Sequence, residues 1–368
     1  MTASFTDRNI SSITEVIGPA ELKRQLPRAA DSEQCVAHSR EAVTDVLYGR
    51  SGKLLVIVGP CPIHDPVAAL EYAARLLVQR ISLHEDLEIV MRVYFEKPRT
   101  TIGWKGLVND PHLDDSHAME EGLRLARQLM LDITSVGLPI ATEFLDLTTP
   151  HYLADLVTWG AIGARTTESQ IHRELASSLA CPIGFKNGTD GNVNIAIDAI
   201  QAARHAHCYL GITESGHFAK VATTGNREGH LVLRGGKRPN YDAASVAAAC
   251  TLLNQKGLPE RLVIDASHGN SGKLPENQLR VCDDLCERIA NNDEHIAGVM
   301  IESNLVEGRQ SFGAGAVFTY GQSVTDACIG WSDTEALLRR LANASRQGQL
   351  RKGANEQNQA KGRLQVAD

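Results

Sequence analysis

From Lys53 onward, short apolar runs alternate with longer stretches of amphipathic spacing, and the pattern repeats eight times. The runs are Leu54 to Gly59, Leu87 to Val93, Pro139 to Phe144, Ala161 to Arg165, Pro182 to Lys186, His230 to Arg234, Leu262 to Ser267 and Ala297 to Glu302. Runs this short and rich in β-branched residues suit buried strands of a parallel sheet. The helices expected between and after them are Val67 to Ser82, Ser116 to Val136, Pro150 to Trp159, Glu168 to Ala180, Val193 to His205, Ala243 to Lys256, Glu276 to Asn291 and Thr334 to Ala344. Thr149 can cap a helix that has Pro150 at its first position, Asp242 and Ser332 or Asp333 can cap two others, and Gly257 can stop one. Eight strand-helix units indicate an α/β fold, a (β/α)8 TIM barrel. A doubly wound sheet is the alternative, but no G-x-G-x-x-G follows a strand.

The remaining segments stand outside this rhythm. Residues 1–45 read as an N-terminal arm that contacts a partner or regulates, and 46–346 as the barrel. Within 207–229, the runs Cys208 to Thr213 and Phe218 to Thr223 flank Glu214-Ser215-Gly216-His217 and read as an inserted hairpin. Residues 347–368 have too little apolar content for fixed structure and are expected to be disordered. A formal charge of -7 and 5% aromatic residues argue against nucleic-acid binding. The eight cysteines lack the spacing of a disulfide scaffold. With no apolar leader and no run of about 18 apolar residues, the expectation is a cytoplasmic protein that does not enter a membrane.

In such a barrel the carboxyl ends of the strands share one mouth. At or just past them stand Cys61, Arg92, Glu143, Arg165, Lys186, Arg234, His268 and Glu302. Arg92, Arg165, Lys186 and Arg234, with Lys97 and Arg99 from a Pro-broken turn that also carries Thr100 and Thr101, form a cationic basin that repels itself unless a polyanion fills it. Phosphate, with carboxylate, is the expected ligand chemistry. Cys61, His268 and Glu302, joined by Asp326, offer a thiolate, an imidazole and two carboxylates, a set able to hold a divalent Mn, Fe, Co or Zn. Glu143 can orient a water or take its proton, or it can merely neutralise charge. Cys282 and Cys286, at i and i+4 on a helix without a nearby partner, read as buried side chains. His64, His112, His117, His172 and His217 carry no motif.

Gly59-Pro60-Cys61-Pro62-Ile63-His64-Asp65, Lys97-Pro98-Arg99-Thr100-Thr101, Gly163-Ala164-Arg165-Thr166-Thr167-Glu168-Ser169, Gly184-Phe185-Lys186-Asn187-Gly188-Thr189, Leu233-Arg234-Gly235-Gly236 and Ser267-His268 with Asn270-Ser271 resemble the type I, feedback-regulated microbial class of 3-deoxy-D-arabino-heptulosonate 7-phosphate (DAHP) synthases. The resemblance implies condensation of phosphoenolpyruvate with D-erythrose 4-phosphate, releasing phosphate, at the head of the shikimate pathway. It assigns the metal to Cys61, His268, Glu302 and Asp326. It assigns the phosphate of phosphoenolpyruvate to Arg165, Lys186 and Arg234, its carboxylate to Arg92 and Lys186, and erythrose 4-phosphate to Lys97, Arg99 and Thr100, and it counts Ala164 among the substrate-binding residues. For the proton of the added water it points first to Glu143, then to Lys97 or Lys186, with His268 also counted in the catalytic set.

The resemblance further implies feedback inhibition by an aromatic amino acid, bound outside the mouth near Pro150, His151, Ala180, Tyr209, Gly211 and Val221 with help from a neighbouring chain's arm. A homo-oligomer, dimer or tetramer, is expected. Relatives often carry Ser at the places of Gly211 and Ala180; losing both hydroxyls leaves room for a larger ring and leans the effector toward tryptophan. The rivals are a 3-deoxy-D-manno-octulosonate 8-phosphate synthase-like enzyme using a five-carbon sugar phosphate, and a catalytically silent sensor of aromatic amino acids. Pro98 in the Lys-Pro-Arg-Thr turn favours the four-carbon substrate over the first.

Overall fold

The computed structural model describes residues 9–99, 101–312 and 318–365, with side chains described as far as residue 355. Its elements in chain order are α1 (Pro19–Gln25), α2 (Ala30–Leu47), β1 (Leu54–Gly59), α3 (Pro66–Ser82), β2 (Leu87–Arg92), α4 (Met119–Ser135), β3 (Ile140–Glu143), α5 (Pro150–Leu153), β4 (Trp159–Ile162), α6 (Gln170–Ser178), β5 (Ile183–Lys186), α7 (Asn194–Ala203), β6 (Cys208–Ile212), β7 (Phe218–Ala222), β8 (Gly229–Leu233), α8 (Ala243–Gln255), β9 (Leu262–Asp265), α9 (Pro275–Ala290), β10 (Ile296–Glu302), β11 (Val306–Arg309), β12 (Gln322–Ser323) and α10 (Trp331–Gln365). Strands buried on both faces can pair their backbone groups only with one another. Here they do so in the closed order β1-β10-β9-β8-β5-β4-β3-β2. The chain is therefore a (β/α)8 barrel.

Successive side chains along each strand point to opposite faces. Leu55 and Ile57 join Val90, Trp159, Val232, Val263 and Met300 inside the barrel, whereas Leu54, Val56 and Val58 pack outward with the helices. Two helices start at side-chain caps, Asp242 among them as expected, while Thr149 makes no cap bond to α5 and α10 begins at Trp331, ahead of Ser332. Asp65 accepts from Val67 N and Ala68 N ahead of Pro66, Asp242 accepts from Ser245 N, and Gly257 at φ +63° ends α8. Register then aligns the mouth: Gly59 at the end of β1 pairs with Glu302 at the end of β10, so the β1 loop starts beside that carboxylate.

Three expectations differ from the structure. The stretch 150–159 is not one helix. It forms α5 and a short 3-10 turn over Ala154–Leu156 before β4 begins at Trp159 rather than Ala161. Trp159 is fully buried, and its Nε1 donates to His230 Nε2 at 3.1 Å inside the barrel. Amphipathic spacing had absorbed into a helix a residue that the barrel interior claims as a strand position. The segment expected to be an arm instead builds α1 and α2. Val43, Val46 and Leu47 of α2 join the interior cluster, and Tyr48 Oη donates to Arg227 O just ahead of β8, so α2 closes the amino-terminal end of the barrel.

The third difference lies at the carboxyl terminus, where α10 runs on to Gln365 through residues expected to be disordered. Ser345 Oγ donates to Asp86 O at 3.0 Å, Gln349 Nε2 to Gly52 O at 2.7 Å, and Lys352 Nζ lies 2.8 Å from Glu294. Polar docking, which apolar content cannot reveal, holds the start of this segment as far as Lys352. The hairpin formed by β6 and β7 is antiparallel. No helix among the described residues is long and apolar enough to cross a membrane.

Candidate active site

The strand ends surround a cavity of about 770 Å³. Its walls include Cys61 past β1, Arg92 closing β2, Lys97 and Arg99 in the following loop, Glu143 closing β3, Ala164 and Arg165 past β4, Lys186 closing β5, Arg234 past β8, His268 past β9 and Asp326 past β12. Glu302, closing β10, lies beneath the wall at 1% exposure. Thr100 lies outside the described residues.

Charges of opposite sign interleave on the floor. The Arg92 guanidinium donates to Pro60 O at 2.8 Å and to Cys61 Sγ at 3.5 Å, stands 3.1 Å from Glu302 Oε1, and lies over the Tyr94 ring at 3.9 Å from its centroid. The Lys97 ammonium donates to Cys61 Sγ at 3.1 Å and pairs with Asp326. Burial acts to raise the Glu302 carboxyl, but His268, Arg92 and Lys97 outweigh it and hold the group below the ordinary carboxylate range. The Cys61 thiol, wholly buried, is pushed up to about 12 by desolvation against the opposing pull of Arg92 and Lys97.

The donors fit a divalent cation. Ligand atoms of Cys61, Glu302 and Asp326 lie within 4.8 Å of one another. His268 Nε2 is 3.7 Å from Glu302 Oε1, while its Nδ1 faces Asp265 Oδ2 at 2.9 Å. The Nδ1–Asp265 contact has no aligned hydrogen bond, but a buried carboxylate at that distance favours the tautomer with its proton on Nδ1, which leaves Nε2 to ligate. Glu302 Oε2 accepts from Ser267 Oγ at 2.7 Å, whereas Oε1 has no aligned hydrogen bond among the described residues and retains its acceptor capacity. His268 itself sits at φ +56°, an uncommon conformation for a residue with a Cβ that places its ring against Asp265 and Glu302.

The other half of the cavity is lined by the cations Arg165, Lys186 and Arg234. Burial lowers the Arg234 guanidinium, and the charge of Arg165 lowers it further. Asp265 acts in the opposite sense, and an anion brought between the two guanidinium groups would be favoured by both. The loops after β5, β8 and β9 are tied together by an asparagine network. Asn187 Oδ1 accepts from Arg234 N at 2.8 Å and from Asn240 Nδ2 at 3.2 Å, and Asn240 N donates to Asn270 Oδ1 at 2.8 Å. Opposite, an added Cβ at Gly163 would stand 2.1 Å from Glu143 Oε1, so glycine there makes room for that carboxylate.

Sequence reasoning did not single out Asp265, Ser267, Asn240 or Glu96. Asp265 closes β9 three residues before His268, so the strand-end rule could have found it had each strand not been allotted a single functional residue. Glu96 could have been suspected only from its neighbours, Lys97 and Arg99.

A second cavity of about 680 Å³ lies outside the mouth and brings together Pro150, His151, Ala180, Tyr209, Gly211 and Val221. Apolar Leu147, Leu175 and Phe218 share its walls with Lys23, Arg28, Arg40, Glu174 and Glu214. The chain's own N-terminal segment supplies part of this rim. Lys23 pairs with Glu214 at 2.6 Å, and Ala20 N donates to Glu214 O at 2.8 Å.

A barrel mouth that pairs an anion basin with a cation-competent donor set defines an enzyme of small phosphorylated substrates. The comparisons narrow the class: the model of the DAHP synthetase I family matches residues 28–339, and the chain belongs to that family. The Phe-sensitive phospho-2-dehydro-3-deoxyheptonate aldolase of Escherichia coli (strain K12) is 58% identical over 338 residues, 92% of this chain and 97% of that protein. The Trp-sensitive enzyme of the same strain is 53% identical over 332 residues, covering 90% and 95%. The solved structure of the phospho-2-dehydro-3-deoxyheptonate aldolase from Francisella tularensis SCHU S4 superposes with a TM-score of 0.91 at 48% identity, covering 92% of this chain and 99% of that one.

Glu96 supplies a pH test of the mouth. Its Oε2 accepts from Thr149 Oγ1 at 3.0 Å, and burial, reinforced by Asp146, raises its carboxyl from 4.5 to about 7. With a folded-state value above the unfolded one, stability is full below 4.5 and is lost as the pH rises through about 7, by up to about 3 kcal/mol. Glu96→Gln should therefore gain about 2–3 kcal/mol on the wild type between about pH 4.5 and about pH 8 in urea denaturation. An identical difference at both pH values would show that Glu96 titrates normally.

Proposed function

We propose that the barrel mouth joins phosphoenolpyruvate to D-erythrose 4-phosphate and water, releasing phosphate and forming DAHP, as the phospho-2-dehydro-3-deoxyheptonate aldolases it is similar to are named for doing. The observation that carries the reading is the meeting of Arg92, Arg165, Lys186 and Arg234 with Cys61, His268 and Asp326 around one cavity. Arg165, Lys186 and Arg234, with the backbone at Ala164, hold the phosphate of phosphoenolpyruvate. Arg92 and Lys186 take its carboxylate, and Lys97, Arg99 and Thr100 hold erythrose 4-phosphate. Arg99 is braced for this by donating Nε to Trp104 O at 2.7 Å.

C3 of phosphoenolpyruvate attacks the aldehyde carbon, water adds at C2, and the resulting tetrahedral phosphohemiketal expels phosphate. Glu143 receives the proton of that water, with Lys97 and Lys186 as the other groups within the cavity able to move one. Fixed cations meet the charge of both substrates without reorganising. A divalent Mn, Fe, Co or Zn held by Cys61, His268, Glu302 and Asp326 supplies Lewis-acid polarisation of the aldehyde oxygen when bound. The free state of all eight cysteines suits a cytoplasmic setting.

The second cavity is proposed as the site of an aromatic amino-acid effector in a dimeric or tetrameric enzyme, and two names among its relatives specify sensitivity to phenylalanine and to tryptophan. At Gly211 an added Cβ would stand 2.9 Å from Val221 Cγ2, so a serine there would crowd the wall. Gly211 and Ala180 together leave the space for an indole.

Three measurements test these roles. Arg165→Ala should raise the KM for phosphoenolpyruvate about 10- to 100-fold, the loss of a charged hydrogen bond; an unaltered value removes Arg165 from the anion site. Cys61→Ala should abolish metal-supported phosphate release that depends on both substrates, and full activity in metal-buffered assays removes Cys61 from the ligand set. Inhibition assays with the three aromatic amino acids should find tryptophan the strongest, and inhibition by phenylalanine alone reverses the assignment.

A further inference from the structure

Asp265 is wholly buried at the end of β9, and its place between two functional groups has a consequence for both. One oxygen, Oδ2, accepts from Lys186 Nζ at 2.9 Å and lies 2.9 Å from His268 Nδ1, an electrostatic contact without an aligned hydrogen bond. The other, Oδ1, accepts from Ser267 N at 3.0 Å, and the backbone carbonyl of Asp265 accepts from Asn270 Nδ2 at 2.9 Å. The carboxylate is thus held from behind and cannot swing to favour one cation over the other. Lys186 is itself only 3% exposed.

We propose that Asp265 is a positioning residue shared by the two halves of the mouth: the same oxygen orients the lysine that receives the substrate anion and fixes the histidine that receives the metal. The inference rests on the roles given to Lys186 and His268 in the preceding section. Without the carboxylate, the Lys186 ammonium has no counter-charge at its back and turns from the cavity. At the same time the imidazole loses the partner that favours its tautomer, and second-sphere carboxylates of this kind are worth roughly 10- to 100-fold in metal affinity. Lys186 closes β5 and His268 stands past the end of β9, and they meet different ligands. Loss of either alone should impair one equilibrium, whereas loss of Asp265 should impair both.

The test measures two affinities separately and without turnover. Mn²⁺ binding to the full-length protein is followed by the electron paramagnetic resonance of the free ion, and phosphoenolpyruvate binding to the metal-depleted protein by calorimetry. Asp265→Asn should weaken Mn²⁺ about 10-fold or more and phosphoenolpyruvate about 10-fold or more. Asp265→Glu restores the charge one methylene away, so it should weaken both by a smaller factor, a graded rescue that mere loss of packing does not produce. If Asp265→Asn does not fold, Asp265→Glu against the wild type decides. A joint fall supports the shared anchor, and either affinity unchanged within about twofold in a folded variant overturns it. The wild type separates the two levels of argument. If it fails to bind Mn²⁺, or binds no phosphoenolpyruvate when metal-free, the roles of His268 and Lys186 fall; if it binds both and only one is lost in the variant, those roles stand and the bridge falls.

Discussion

A buried guanidinium facing a buried carboxylate, Arg92 against Glu302, sets the terms for the rest of the mouth. Taking two such groups out of water costs several kcal/mol each, and their mutual attraction repays it only when further partners are present. Those partners are here: Pro60 O, the Tyr94 ring and Cys61 Sγ around Arg92, and Ser267 Oγ with His268 around Glu302. The arrangement repeats with Lys97 between Cys61 and Asp326 and with Lys186 against Asp265. Each of these three cations is held by an anion of the floor, so incoming phosphate and carboxylate groups meet donors already in place. Preorganisation of this kind is where an enzyme of anionic substrates gains most.

Such a lattice of charges requires loops that do not drift. The loops after β5, β8 and β9 are stitched by Asn187, Asn240 and Asn270, and they touch backbone to backbone. At Gly235, with φ +72°, an added Cβ would lie 2.4 Å from the carbonyl carbon of Gly269. The Leu233-Arg234-Gly235-Gly236 stretch therefore serves two ends at once, presenting Arg234 to the cavity and letting the neighbouring loop lie against it. Barrel closure supplies the remaining alignment, because Gly59 beside Glu302 in the β1–β10 register brings the Cys61 loop to the metal-competent carboxylate.

Most of this was legible in the sequence for a simple physical reason. A strand covered on both faces must be continuously apolar, and a barrel brings all its strand ends to one rim, so a polar residue terminating each apolar run marks the mouth without any coordinates. The same logic misplaced β4. Trp159, flanked by residues of helical spacing, faces an interior whose size only the closed sheet reveals. It missed the length of α10, where Gln349 and Lys352 dock through polar bonds and hydropathy carries no signal. Asp265 escaped because its partners lie far apart in sequence: Lys186 on another strand and His268 across a turn. A charge buried for the sake of two other charges is visible only once all three have been brought together.

The two cavities are contiguous through a short stretch of chain. Asp146 Oδ1 accepts from Thr148 N and Thr149 N, tightening the turn that carries Thr149 Oγ1 to Glu96 and Pro150 to the wall of the second cavity. Glu96 is followed directly by Lys97, which holds Asp326. Contiguity alone transmits nothing, since a ligand shifts an equilibrium only by its differential affinity for two arrangements. What the geometry provides is a place for such a difference to arise. Thr149 stands where the two walls meet: its hydroxyl is bonded to the Glu96 carboxyl, which burial raises, and the residue after it lines the second cavity.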